Sequence, residues 1–167
     1  TKRPAFDSLL QAAGGLISVT GPVGGPPVRV GVSIVDIASG LFLLSGILSA
    51  LWRRERTGEG SRVDTSMLAT TVNIMENPIS RHSFTGQVPG PEGLSHPIVS
   101  PFSGYKTRDG LIFVAISNTN RYRIFVEALG RADLSADPRF AENADRVKND
   151  GALRDILEEI LKKRNTA

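Results

Sequence analysis

Residues 32–52 read VSIVDIASGLFLLSGILSALW, and this stretch decides the fold. From Ile37 to Trp52 every side chain is apolar or small, with Asp36 before the run and Arg53, Arg54, Glu55 and Arg56 after it. The pattern predicts a buried helix over 37–57, closed by Gly58 and Gly60. A glycine past the last turn takes the left-handed geometry cheaply, and basic side chains suit the negative end of the helix dipole. A membrane span needs ~20 apolar residues; this run is shorter and carries Ser39, Gly40, Ser45, Gly46 and Ser49, so no membrane insertion is expected. The small residues recur at helical spacing and leave one face smooth, which predicts close approach of another helix, of main chain, or of a second subunit.

Asp36 stands out because it lies between Val32, Ile34, Val35 and the apolar helix. At a helix N-terminus its carboxylate faces free N–H groups and the positive end of the dipole. Two roles fit those residues: an N-cap, for which Asp is among the best side chains, or a partly buried nucleophile.

Upstream, a short apolar run (Leu9, Leu10, Ala12, Ala13) gives way to Thr20-Gly21-Pro22-Val23-Gly24-Gly25-Pro26-Pro27, too rich in Gly and Pro for regular structure. Downstream, Ser61–Thr65 reads as a short strand, and Ser66 as the cap of a helix from Met67 to about Glu76. From Asn77 to Pro101, eight Gly and Pro residues and few consecutive apolar ones predict a long loop or crossing. Gly86, Gly90 and Gly93 in TGQVPGPEG could form a mobile lid or an ordinary linker. His82 and His96 flank this segment and are assigned no role.

Beyond it, Phe102–Lys106 and Leu111–Ile116 flank Thr107-Arg108-Asp109-Gly110, a hairpin signal. Asn118 or Thr119 opens a helix with Tyr122, Phe125, Val126 and Leu129 on one face, ending at Gly130. Ala136-Asp137-Pro138 turns the chain into a short helix near Ala141. Asn149 or Asp150 caps a last helix, whose stripe is Leu153, Ile156, Leu157, Ile160 and Leu161. The result is two unlike halves: 1–77 and 102–167, joined by a linker or lid over 78–101.

Composition narrows the chemistry. The chain has 167 residues, 40% hydrophobic and 22% charged, a globular balance. Twenty Lys and Arg against 17 Asp and Glu leave +3, and the Arg53, Arg54, Arg56, Arg62 group is interrupted by Glu55 and Glu59, so no nucleic acid is expected. With no cysteine and two histidines, thiolate metal sites and Cys/His catalysis drop out, and no metal is expected. The opening Thr1-Lys2-Arg3-Pro4 carries no apolar leader, which makes a cytoplasmic setting the default expectation. No GxGxxG or GxxxxGK[ST] phosphate loop occurs.

Taken in order, RPAFDSLLQAAGGLISVTGPVGGPPVRVGVSIVDIASGLFLLSGILSAL, RRERTGEGSRVDTSML, PFSGYKTRDGLIFVAI and ALGRADLSADPRFAENADRVKN resemble the family III CoA-transferases, the group that includes formyl-CoA transferases and the alpha-methylacyl-CoA racemases. The resemblance runs through the whole chain and implies an α/β fold. This sequence would be an internal piece, the end of a Rossmann-like large domain followed by the start of a small α/β domain, in a homodimer with interlocked subunits. It implies Asp36 as the nucleophile of a CoA transfer through an aspartyl-CoA thioester, with a CoA thioester as substrate, no permanently bound cofactor, and a small carboxylic acid as second substrate. Formate, oxalate, succinate, malate and carnitine-type acids all remain open. The glycine-rich loop of the family falls on TGQVPGPEG, here stiffer for its prolines. Racemases of this group need a second acid/base group, a histidine about thirty residues before the aspartate. RPAFDSLLQAAGG has none there, which favours transfer over racemisation. A third reading is a folding or dimerisation piece without activity of its own.

Overall fold

The computed structural model describes residues 5–166, and Thr1–Pro4, read above for a leader, lie outside them. The chain divides into two units between Gly93 and Leu94.

In the first unit, α1 (Asp7–Ala13) leads through a single 3₁₀ turn (Leu16–Val19) and the Gly/Pro loop into α2 (Ile34–Thr57). Two shorter helices follow, α3 (Met67–Ile74) and α4 (Glu76–Thr85). Helix α1 packs on both α2 and α3. It gets that close because Gly14 has no side chain: a Cβ there would collide with Thr71 Cγ2. Val35, Ala38 and Met75 form the buried apolar part of this unit, together with Gln11, Thr70 and Thr71.

Helix α2 departs from the expectation of a buried element. It starts at Ile34, three residues before the apolar run, and only Val35, Ala38 and Ser39 of its 24 residues are buried. Leu41, Phe42, Leu44, Leu48, Leu51 and Trp52 lie on the exposed surface of this chain. The helix is therefore longer than the apolar run, and by length and composition alone it reaches the range of a membrane span, with a mean hydropathy of 2.0 over 18 residues. Its smooth face admits a close approach at Gly46, where a Cβ would lie 2.7 Å from Val63 Cγ1. Residues 61–65 are not a strand; with no neighbouring strand to pair with among the described residues, they run as irregular chain over α2.

Ser66 caps α3 as expected, its Oγ accepting from the Ala69 N–H. The long loop expected from Asn77 is corrected at its start, because residues 76–85 form α4. Pro78 sits at the third position of that helix, where its missing N–H would have had no intrahelical partner.

The second unit is built on the predicted hairpin. Strands β1 (Phe102–Lys106) and β2 (Leu111–Ala115) pair antiparallel with Phe102 opposite Ala115 and Lys106 opposite Leu111. Gly110 does not take a positive φ. Its role is room: Thr166 Oγ1 would stand 3.0 Å from a Cβ there. Helix α5 (Thr119–Ala128) is capped by Asn118, whose Oδ1 accepts from the Arg121 N–H at 2.9 Å. The short helix α6 (Asn143–Lys148) begins just after Ala141. Asn149 occupies the cap of α7 (Asp150–Leu161), but its side chain bonds back to the carbonyls of Arg139 and Asp145 rather than capping. Tyr105, Val114, Tyr122, Val126, Phe140, Leu153 and Leu157 close the core. Arg146 is wholly buried within it, its guanidinium donating to the carbonyls of Ser100, Phe140 and Ala141 and lying 4.3 Å from the Tyr122 ring centre.

Candidate active site

Asp36 is the third residue of α2. The cap position belongs to Ser33, so the N-cap reading of Asp36 gives way to one in which its carboxylate stands in the first turn of the helix. Ser33 makes no side-chain bond to the helix. Asp36 is exposed, and among the described residues no hydrogen bond or ion pair engages its side chain. Exposed Val32 and Ile37 flank it. A carboxylate with free lone pairs, near the positive end of a helix and between apolar neighbours, is suited to attack an electrophilic carbonyl.

The position of Asp36 is set from another element. The N–H of Val35, the residue before it, donates to Asp7 Oδ1 of α1 at 2.9 Å. Gln11, one turn on, donates from Nε2 to Asp7 Oδ2 at 2.7 Å and accepts from the Val30 N–H at 2.9 Å. A longer bond of 3.4 Å runs from the same Nε2 to the Val32 carbonyl. Asp7 and Gln11 are 8% and 0% exposed, so a buried carboxylate and a buried amide hold residues 30–35 where they enter α2. Neither was singled out from the sequence. The available signal was an Asp/Gln pair four apart in FDSLLQAAGG, a spacing that puts both on one helical face.

The three glycines expected in a lid or linker have separate surroundings. Gly86 closes α4 in the left-handed conformation, its N–H donating to the His82 carbonyl at 2.8 Å. Gly93, also at positive φ, donates from its N–H to the Gly21 carbonyl at 3.0 Å and abuts Val23. Gly90 has open space around it. Residues 86–93 are thus a segment without regular structure, pinned at both ends, and an Arg81–Glu92 ion pair of 2.9 Å adds a third tie. No hydrogen bond joins these glycines to Asp36 among the described residues. The histidines both have local partners: His82 Nδ1 lies 3.1 Å from the Gln87 carbonyl, and His96 Nδ1 accepts from the Ile98 N–H while its ring tilts against Phe102. An apolar groove lined by Leu43, Ile47, Leu51 and Val63 lies toward the other end of α2. At 1.5 Å per residue, Ile47 is roughly 16 Å along the axis from Asp36.

The structure thus places an exposed, unpartnered aspartate in the first turn of a long apolar helix, and comparison with known proteins gives the class of the chain. The model of the CoA-transferase family III matches residues 1–167, and the chain belongs to that family. It is 38% identical over 98% of its length to an acetyl-CoA:oxalate CoA-transferase of Acetobacter aceti, of which it covers 42%. It is 36% identical over 91% of its length to a succinyl-CoA:mesaconate CoA-transferase of Haloarcula hispanica, of which it covers 38%. The chain therefore spans about two fifths of these relatives. Among solved structures, a CaiB/BaiF family protein from Brucella suis superposes with a TM-score of 0.78 at 32% identity, covering 98% of this chain and 43% of that one. The Rv3272 protein of Mycobacterium tuberculosis gives 0.83 at 28% identity, covering 98% and 42%.

Proposed function

We propose that the protein carrying this chain moves CoA between an acyl-CoA and a carboxylic acid, with Asp36 as the nucleophile. The observation that carries the reading is the free Asp36 carboxylate in the first turn of α2, within a chain whose relatives are named for CoA transfer. An Asp36 oxygen attacks the thioester carbonyl of the donor, the C–S bond breaks, and CoA leaves as a thiolate from a mixed anhydride. The thiolate attacks the aspartyl carbonyl and expels the donor's carboxylate, leaving an aspartyl-CoA thioester. The acceptor carboxylate then attacks that thioester carbonyl and releases the thiolate once more. Attack of the thiolate on the acceptor's acyl carbon forms the new acyl-CoA and restores Asp36.

An anhydride hydrolyses readily, so the reaction needs water kept out. Residues 86–93, with Gly86, Gly90 and Gly93, are our candidate for the covering loop, supported by their lack of regular structure between two tied ends. Small dicarboxylic acids of the oxalate, succinate and mesaconate kind are the first acceptors and donors to try, since relatives are named for them. The exposed apolar face of α2 supports a homodimer, with a second copy or other parts of the protein covering that face rather than lipid, and we place the reaction in the cytoplasm. The test is Asp36→Ala in the complete protein: transfer is abolished while CoA binding persists. Retained turnover removes Asp36 from the mechanism. Exchange of the substrate's α-proton with solvent, with no CoA moved, would instead select the racemase reading, and failure to bind any acyl-CoA would select the non-catalytic one.

A further inference from the structure

Buried carboxylates are expensive and persist where several donors meet them. Asp7 is such a group: both oxygens accept, one from the Val35 N–H at 2.9 Å and one from the Gln11 amide at 2.7 Å. A helix of ordinary design would have this N–H satisfied by its own cap residue. Here Ser33 makes no such bond, and the acceptor comes from 28 residues upstream, on a different helix. That helix is in turn seated by the close contact of Gly14 with Thr71 of α3. Gln11 extends the same anchor to Val30 and Val32. Its amide can stand in only one orientation, because its oxygen must meet an N–H while its nitrogen meets a carboxylate. The backbone of residues 30–35 is thereby fixed to α1 at three points, the last one residue before Asp36.

We propose that Asp7 is a positioning residue for Asp36: its bond to the Val35 N–H, braced by Gln11, holds the first turn of α2 so that the Asp36 carboxylate meets the face of the acyl carbonyl. This rests on the reading of Asp36 as nucleophile. Asp7 itself touches no substrate; it acts through the helix start. Attack geometry is sensitive to displacements of about 1 Å, which can cost ~100-fold in rate, whereas CoA binding by other parts of the protein is insensitive to them.

The experiment compares wild type, Asp7→Ala, Asp7→Asn and Asp36→Ala of the complete protein with one acyl-CoA donor that it turns over. Rates are normalised to the molecules that bind CoA, so that misfolded protein is not counted. Asp7→Ala is expected to lower kcat by ~100-fold with KM for the acyl-CoA within about twofold. Asp7→Asn keeps an oxygen for the Val35 N–H at nearly unchanged volume but sets its NH2 against that of Gln11, so it keeps the anchor without the brace and is expected to recover kcat in part, to within about 10-fold of wild type, a rescue that a general loss of packing does not give. The proposal is overturned by wild-type kcat in Asp7→Ala, by equal losses in the Ala and Asn variants, or by a loss that vanishes on normalisation. Turnover by Asp36→Ala would bring down the nucleophile reading itself; a dead Asp36→Ala beside a fully active Asp7→Ala would bring down only the positioning role.

Discussion

Replacing Arg146 with alanine is expected to unfold the second unit or nearly so. Its guanidinium is 0% exposed, and three main-chain carbonyls, those of Ser100, Phe140 and Ala141, accept from it at 2.7, 3.0 and 3.0 Å. The first two of these bonds are themselves buried, and each buried acceptor left without a partner costs about 1–3 kcal/mol. Two such acceptors cost about 2–6 kcal/mol, and the lost stacking on Tyr122 and the cavity left by the side chain add to that, so the total is at least about 4 kcal/mol. Domains are stable by only about 5–15 kcal/mol. Burial pushes the Arg146 guanidinium below its ordinary range, yet arginine stays charged in proteins. Arg146→Lys therefore keeps the charge but cannot reach three carbonyls with a point ammonium, and is expected to recover less than half of the loss. The chain allows the units to be followed separately in urea: both tyrosines, Tyr105 and Tyr122, lie in the second unit, and the single tryptophan, Trp52, in the first. Tyrosine absorbance should show the transition of the second unit collapse. A loss below about 1 kcal/mol in the tyrosine signal would refute the argument that these carbonyls depend on Arg146.

Asp36→Asn should change stability by less than about 1 kcal/mol, since the side chain is exposed and contributes only its interaction with the helix dipole; thermal melts beside the activity assay check this. Asn118→Ala should cost about 1 kcal/mol through loss of the cap on α5, read as a shift in the urea midpoint of the tyrosine signal. Desolvation raises the phenol of Tyr122 to about 12 and that of Tyr105 further above its ordinary value. The neutral phenols favour the folded state, so their contribution is intact below the unfolded pKa near 10 and is lost as pH rises through the folded values. Tyrosinate absorbance should appear together with unfolding, and a reversible titration near pH 10 in folded protein would contradict this. On the acid side, the hydrogen bond from Lys162 holds the Glu158 carboxyl below its ordinary 4.5. Its contribution is present above that value and fades as pH falls below it, so Glu158→Gln should flatten the fall of Tm in acid.

What the sequence made legible was local. Periodicity marked α5 and α7, the Asp109-Gly110 pair marked the hairpin, and Ser66 and Asn118 marked helix starts, because each signal lies within one element. Asp36 was visible for the same reason: a charge at the edge of an apolar run is a local anomaly. Pro78 misled, since it reads as a breaker unless the helix start is known to lie two residues earlier. The roles of Asp7 and Arg146 were hidden, because one bond of each reaches a partner 28 or 46 residues away, Val35 and Ser100, and a polar side chain gives no sign in sequence of being buried. The strand expected at 61–65 failed on a non-local condition too, having no neighbour to pair with among the described residues. Burial of α2 was inferred from apolarity alone, and apolarity says that a face is to be covered without saying by which residues.

The most direct test of the account is hydroxylamine trapping on the complete protein incubated with a panel of acyl-CoAs, followed by peptide mass mapping across Val32–Leu44. The account predicts a hydroxamate on Asp36 with at least one donor and none in Asp36→Ala. A folded, CoA-binding protein that turns over a donor and yields no adduct at Asp36 would contradict it.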